Sequence, residues 1–372
     1  MSKKKSFWEK YALKQLEIQD QTSLEDELYI LSERELNDLK KIRIRTYIKA
    51  GIAGVLGVVF LYLPYHFFGE LLFPKRLITL PYVEMDIELE VEFLIYSLIL
   101  VIIEIYYLTY INIHAVSAIA KACGCPNNSD PYLEENVNAL VNVGLEKTQK
   151  ELKQLGINPY NGLSKIAVWI FQMIVKLKAA VSGFLWKLIV KKLLGRYALR
   201  MLVDLLGAPL YAAWNIYASR KVMNEARVRV MAPPLINKFT TLLHNKYKDN
   251  NEFKSILYDA MQAISTTKRS FHYNHFLLAS SLFNKFNIEI VEKPKLNSKF
   301  LKEIDELSPE IQKSVSKLIL FGIIIDGGLT NIEKRSIHRL RKEGVLYYSM
   351  EEIKQWSENF FEGKGLDDFF EA

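Results

Sequence analysis

The residue best placed to do chemistry in this 372-residue chain is an acidic one inside an apolar stretch. Glu104 lies near the middle of the apolar run at 93–113, where a charge costs roughly 3 kcal/mol or more if the run crosses a membrane. Such a carboxyl needs a partner, and the candidates are Tyr62, Ser97 or a second copy of the chain in a homo-oligomer. The position fits a proton or ion site, but we favour a protonated carboxyl making one interhelical hydrogen bond, because a relay normally needs more than one intramembrane ionisable group.

Two further acidic residues flank a glycine turn near the carboxyl end. Asp326 precedes Gly327 and Gly328, which predict the end of an apolar helix because glycine favours the left-handed position there. Thr330 and Glu333 have the spacing of a capping box, which predicts the start of the next helix. Helix geometry alone therefore accounts for both acidic residues. The same box spacing recurs in Ser32 with Glu35 and in Ser349 with Glu352.

This glycine turn also carries a family resemblance. Residues 318–326, with the Gly-Gly-Leu-Thr-Asn-Ile-Glu stretch that follows, resemble TerB-like modules associated with tellurite resistance. The likeness covers residues 308–361. It implies a helical module in which Asp326 and Glu333 contact a metal or another ligand. This chain departs from the family in having Gly328 where a polar residue is often found, and in the basic residues Lys334, Arg335, Arg339, Arg341 and Lys342.

Two broader resemblances concern the rest of the chain. The whole sequence is similar to an uncharacterised family of bacterial membrane proteins, a likeness that implies no activity. Residues 206–226 resemble the hydrophobic region of EcsC-like membrane-associated proteins. Neither resemblance supplies a site residue.

Histidine and cysteine pairs offer weaker metal-site candidates. His272 and His275 are three residues apart, a spacing that can ligate a metal on a helix, but no acidic residue is close in sequence and we predict a partly exposed pair. Cys123 and Cys125 are the only cysteines, which is too few for a closed zinc site. We interpret Cys-Gly-Cys-Pro as a helix end and turn.

The elements that position these residues begin with two apolar runs, at 50–73 and 93–113. Each approaches or exceeds the roughly 20 residues that a helix needs to cross a bilayer, so the sequence predicts a transmembrane hairpin. Lys and Arg are enriched on cytoplasmic flanks. They crowd the start of the first run, whereas the connection is acidic. We therefore predict a bacterial inner-membrane protein with both termini in the cytoplasm and the connection outside. The basic flank consists of Lys40, Lys41, Arg43, Arg45 and Lys49.

The hairpin sequence also suggests how its helices pack. Ala50 with Gly54, and Ala53 with Gly57, have the four-residue spacing of small residues that lets membrane helices approach closely. Pro64 predicts a kink and a freed carbonyl that a neighbouring group must satisfy. Acidic and apolar residues alternate in the connection at 86–93, which indicates a strand and a small hairpin with residues 76–80.

Two more apolar stretches, at 166–190 and 201–218, leave the number of spans open. Four lysines fall in one stripe of the first, as in an amphipathic helix that lies on the membrane surface against anionic lipid headgroups. If both stretches crossed, several basic residues would lie outside, against the charge rule. We favour two spans with a surface helix, and four spans is the alternative. The lysines are Lys165, Lys176, Lys187 and Lys191.

These features predict an all-α membrane protein that combines the transmembrane hairpin, the amphipathic surface helix and a carboxyl-terminal cytosolic helical bundle. The predicted regions are cytosolic helices at 1–46, the hairpin at 47–115, a membrane-associated part at 116–232, a cytosolic helical part at 233–292 and the TerB-like module at 300–372.

No motif supports an enzyme or a cofactor. The chain has no nucleophile elbow, Walker loop, zinc-protease helix or dinucleotide fingerprint, so we predict no catalytic residue and no cofactor. The net charge of +7 sits beside apolar runs, which favours anionic lipid over nucleic acid. We expect an accessory or scaffold protein with an unknown cytosolic or membrane partner, with a role in an envelope-stress response. The alternatives are an ion-coupled transport component that uses Glu104 and a metal sensor that uses Asp326 and Glu333.

Overall fold

A computed structural model describes most of the chain. The described residues are 5–16, 30–80, 85–125, 132–146, 155, 157, 200–268, 272–290 and 300–371. The predicted surface helix at 166–190 lies outside them, together with Lys165, Lys176, Lys187 and Lys191.

Helices make up nearly all of the described structure, which confirms the all-α class. In chain order they are α1 (Phe7–Gln15), α2 (Glu33–Leu72), α3 (Val91–Ala122), α4 (Leu133–Gly144), α5 (Arg200–Tyr247), α6 (Asn251–Lys268), α7 (Tyr273–Phe286), α8 (Phe300–Glu303), α9 (Pro309–Ile324), α10 (Asn331–Lys342), α11 (Met350–Glu362) and α12 (Asp367–Glu371), with a 3-10 turn at Ile304–Glu306.

The chain divides into two compact units. The core unit comprises Met1–Leu39, Val116–Leu163 and Asn224–Ala372, and the hairpin unit comprises Lys40–Ala115 and Ser164–Met223. α2, α3 and α5 each contribute residues to both. α5 is a single helix of 48 residues and runs without a break through the predicted boundary at 232/233.

Within the described residues, α2 and α3 are long and apolar enough to cross a membrane. The capping box at the start of α2 is present, since Ser32 N–H donates to the Glu35 carboxylate at 2.7 Å and Glu35 N–H donates to the Ser32 hydroxyl at 3.3 Å. α2 continues from this cap for 40 residues to Leu72. No residue of the most apolar stretch of α3 is buried.

The predicted proline kink and its compensation both appear in the hairpin unit. The backbone departs from helical geometry at Phe68, one turn after Pro64, with φ of −131° and ψ of 20°. Because Pro64 has no N–H, the Phe60 carbonyl one turn earlier loses its helical donor. The Tyr96 hydroxyl of α3 donates to that carbonyl at 2.6 Å. The freed backbone group is therefore satisfied by a phenol on the neighbouring helix.

The connection between α2 and α3 forms the small antiparallel hairpin that the alternating pattern predicts. β1 (Arg76–Leu80) pairs with β2 (Met85–Leu89), with Arg76 opposite Leu89 and Leu80 opposite Met85. An ion pair between Arg76 and Glu92 also joins the two ends of the connection.

The core unit is organised around aromatic side chains from distant parts of the chain. Phe321 of α9 is fully buried, with Phe239 of α5 at 4.3 Å and Phe369 of α12 at 5.9 Å between ring centroids. The amino-terminal segment joins this unit, because Leu31 N–H donates to the Gly363 carbonyl at 2.8 Å. The last helices of the chain are thus part of a larger core.

Helix ends in this unit largely follow the sequence predictions. The boxes at Thr330 with Glu333 and at Ser349 with Glu352 are both formed. Gly327 has φ of +93° against the side chain of Val228, a position at which any side chain would clash. Ser308 stands at the start of α9 but makes no side-chain capping bond.

We predict that Y96F lowers the free energy of unfolding of the detergent-solubilised protein by about 1 kcal/mol, because it leaves the Phe60 carbonyl without a donor. Thermal unfolding measures the effect. Y107F is the matched control, since Tyr107 lies on the same helix and is 44% exposed. Equal melting temperatures for both variants would contradict the assignment.

Candidate functional site

The most strongly charged buried site in the described residues is built around one lysine. The Lys268 side chain has no exposed surface. Its ammonium lies 2.5 Å from Asp326 Oδ1 and 3.1 Å from Glu333 Oε1. Both carboxylates are also largely buried, with 11% and 10% of their side-chain surface exposed. The two acidic residues that the sequence singles out therefore lie together, with a cation already between them.

These three groups lie at the ends of three different helices, which meet here. Lys268 is the last residue of α6, and Asp326 follows the end of α9. Glu333 is the third residue of α10, where Oε2 accepts the Thr330 N–H at 2.8 Å while Oε1 faces Lys268. One carboxylate thus caps α10 and pairs with α6. Sequence reasoning missed Lys268, because nothing in its local pattern indicates burial.

The prediction of a partly exposed histidine pair is wrong for His275, which is completely buried. Its Nε2 lies 2.8 Å from the Gly322 carbonyl oxygen and 4.0 Å from Asp326 Oδ2. Burial lowers the pKa of His275 well below 6.5, and the positive charges of His272 and Lys268 lower it further. The burial of His275 results from packing against α9, a helix distant in sequence, and the sequence near His275 does not indicate it.

The other histidine, His272, belongs to a second ionic cluster with Glu225 and Arg229. His272 Nε2 is 2.9 Å from Glu225 Oε1, and Arg229 Nε donates to the same carboxylate at 2.8 Å. Burial alone would raise the pKa of Glu225, but the His272 imidazole and the Arg229 guanidinium outweigh it and lower the pKa to about 2. Arg229 is held in turn by the Ala139 carbonyl at 3.2 Å.

Buried acceptors remain next to these ion pairs. Asn274 donates through its amide to the Ile325 carbonyl at 2.5 Å, but its Oδ1 atom has no hydrogen-bond partner among the described residues. The Nδ1 atom of His275 is likewise buried without a hydrogen-bond partner among the described residues. The site therefore satisfies its charges and leaves two neutral acceptors open.

The intramembrane candidate has a different character. Asn215 of α5 donates its amide to Glu104 Oε1 at 2.7 Å, within the hairpin unit. A Cβ at Gly57 would lie 3.4 Å from Glu104 Oε2, so this glycine leaves the carboxyl in contact with α2. A partner that the sequence analysis did not name, Asn215, thus holds this carboxyl, and the predicted partner Ser97 is engaged elsewhere. Ser97 donates to its own helix at Leu94, and the amide of Asn215 in the next apolar stretch was the available signal.

The cysteines behave as a helix end, as the sequence predicts. α3 ends at Ala122, and Gly124 follows with φ of +65°. Burial raises the pKa of the Cys123 thiol to about 12, which makes it a poor nucleophile or metal ligand at neutral pH. Across the described residues, no group of three or more His, Cys, Asp or Glu side chains is arranged to hold a metal.

Comparison of the chain with protein-family models, with curated proteins and with solved structures found no match. The geometry of its own residues is therefore the basis for a function.

We predict that K268M lowers the free energy of unfolding by about 3 kcal/mol or more, because it leaves two carboxylates buried without a cation. K254M is the matched control on the same helix, where Lys254 is half-buried and lies far in sequence from the site. Thermal unfolding compares the two variants. A loss no larger in K268M would show that its ion pairs contribute nothing.

We further expect Ca²⁺ or Mg²⁺ to leave the melting temperature of the wild-type protein unchanged, because Lys268 already neutralises Asp326 and Glu333. In K268M the same carboxylates lose their cation, so either ion should raise the melting temperature. A rise in the wild type would support the metal-sensing alternative.

A pH effect follows from His275. The folded protein keeps the imidazole neutral, whereas the unfolded chain takes up a proton as the pH falls below 6.5. Stability from this group is thus present above pH 6.5 and declines below it. Between pH 7.5 and 5.5 the wild type should lose roughly 1 kcal/mol more than H275Q, in which a neutral amide replaces Nε2. Parallel losses would contradict a neutral buried ring.

Proposed function

We propose that the protein is an accessory or scaffold protein of the bacterial inner membrane, anchored by α2 and α3, with a helical core unit that docks a partner in the cytoplasm. The observation that carries this proposal is the uncovered apolar surface of α3. Leu98 is 60% exposed and Ile103 is 58% exposed, on a helix long enough to cross a bilayer. Monomeric soluble proteins rarely leave so large an apolar surface in water.

The charge distribution supports the orientation. The basic residues that precede the apolar stretch of α2 fit the cytoplasmic side, and the acidic connection fits the outside. This orientation leaves both termini in the cytoplasm.

The surface proposed for docking is the exposed basic face of α10. Ile337 and Leu340 turn into the core, whereas the exposed surface of the helix carries several basic residues. Such a face suits an acidic segment of a partner protein. The TerB-like resemblance of this region is the reason to expect a role in an envelope-stress response. The exposed basic residues are Arg335, Arg339, Arg341 and Lys342.

Point variants test docking better than removal of residues 300–372. That deletion would take away Asp326 and Glu333 and leave Lys268 charged in the core. We predict that R335E/R339E loses the partners that co-purify with the wild-type protein from membranes. K248E/K254E, with the same change of charge elsewhere on the core unit, should retain them. Identical partners from both variants would contradict docking through α10.

Reporter fusions and membrane fractionation test the anchor. We expect the chain to remain with the membrane after alkaline washing, a fusion after residue 372 to be active only in the cytoplasm and a fusion inserted at residue 82 to be active only outside. A chain that stays in solution after lysis without detergent would refute the anchor.

A second candidate, an ion-coupled transport component, rests on the Glu104 site. The Glu104 carboxyl accepts a hydrogen bond from the neutral amide of Asn215 within an apolar part of the hairpin unit. E104Q separates the two candidates. A transport component should lose its ion flux in proteoliposomes, whereas a docking protein should keep its fold and its partners.

A further inference from the structure

The first half of α5 lies directly on α2 within the hairpin unit. A Cβ at Gly54 would come within 2.7 Å of the backbone nitrogen of Ala212, and one at Gly51 would lie 3.1 Å from Ile216 Cδ1. The small residues of α2 therefore accommodate the backbone of α5. Residue numbers increase along α2 from Gly51 to Gly54, while the numbers of the α5 residues that they face decrease from Ile216 to Ala212. The two helices are therefore antiparallel.

The contacts that α3 makes with α2 and α5 show which part of α5 lies level with the apolar stretch of α3. Gly57 of α2 faces Glu104, and Phe60 is bonded to Tyr96, so α3 is antiparallel to α2 and hence parallel to α5. Asn215 is bonded to Glu104, near the middle of the apolar stretch of α3. A helix that reaches this carboxyl lies at the same depth.

The outward face of this part of α5 is apolar. Leu210 is 41% exposed, Trp214 is 48% exposed and Tyr217 is 57% exposed, at the spacing of one helix face. The polar side chains of Asn215 and Ser219 are buried on the other side. Between Gly207 and Ser219, the part of this helix half whose side chains the structure describes, no residue is charged, and exposed charge follows at Arg220 and Lys221.

We propose that the first half of α5 is a third membrane-spanning helix, whose Leu210, Trp214 and Tyr217 face contacts lipid acyl chains and whose amino end lies on the membrane face of the β1–β2 connection. The inference rests on the membrane anchor of the proposed function. At a rise of 1.5 Å per residue, Arg200 lies about 22 Å from Asn215, and Val91 lies about 20 Å from Glu104 in the same direction. Arg200 is thus level with the start of α3.

This arrangement changes the topology that the charge rule favours. α3 leads away from the connection face, whereas α5 starts on it. A span at this position belongs to the four-span alternative and not to the two-span topology. The charge rule describes a bias during insertion and has exceptions. The antiparallel packing of α5 on α2 is a direct geometric constraint.

Cysteine labelling tests the topology in the full chain. In a C123S/C125S background, single cysteines K75C, R200C and K248C are treated with a membrane-impermeant maleimide in intact and in permeabilised cells. We expect K75C and R200C to react in intact cells and K248C to react only after permeabilisation. R200C that behaves like K248C would overturn the third span while leaving the hairpin anchor intact. M201C repeats the measurement if R200C is unreactive in both conditions.

The controls separate the two proposals. K75C that reacts only after permeabilisation would refute the external connection, and all three sites reacting alike in intact cells would refute the anchor itself. A stability pair tests the packing independently. G54I should lower the melting temperature in detergent by several degrees because it meets the α5 backbone, whereas G69I should not, since nothing lies within 4 Å of its Cβ position. Equal melting temperatures would overturn the packing of α5 on α2.

Discussion

A buried cation without water must be neutralised by its own chain, and Lys268 imposes that constraint on the core unit. Its ammonium is in contact with Asp326 and Glu333, and these residues come from the end of α9 and the start of α10. Removal of either carboxylate would leave buried charge less well paired, which is destabilising. The pair therefore links the position of α6 to the turn between α9 and α10, and makes the core unit specific in its arrangement.

The hairpin unit obeys the same constraint in a less polar setting. Two of its polar groups find a partner on a neighbouring helix. The Phe60 carbonyl freed by Pro64 accepts from Tyr96, and Glu104 accepts from Asn215. Such bonds satisfy polar groups in apolar surroundings, and here they join α3 to α2 and to α5. Glycines on α2 then allow the close approach that these bonds need.

The two units are suited to different roles. A hairpin unit with an exposed apolar surface is suited to holding the chain in a bilayer. The core unit has a buried ionic interior and exposes basic residues on α10. Because Lys268 already pairs with Asp326 and Glu333, the turn between α9 and α10 is better suited to structure than to metal binding. A docking role needs only a stable surface, which the core unit offers.

By itself, the sequence determined the local structure. Apolar run length identified α2 and α3, box spacing identified the starts of α2, α10 and α11, and alternation identified β1 and β2. Each of these signals lies within a few residues, where backbone hydrogen bonding is decided. Only the tertiary structure decided which distant groups meet. That Lys268 occupies the space between Asp326 and Glu333, that His275 is buried against Gly322, and that Asn215 reaches Glu104 follows from side-chain packing across long sequence separations, which no local pattern encodes.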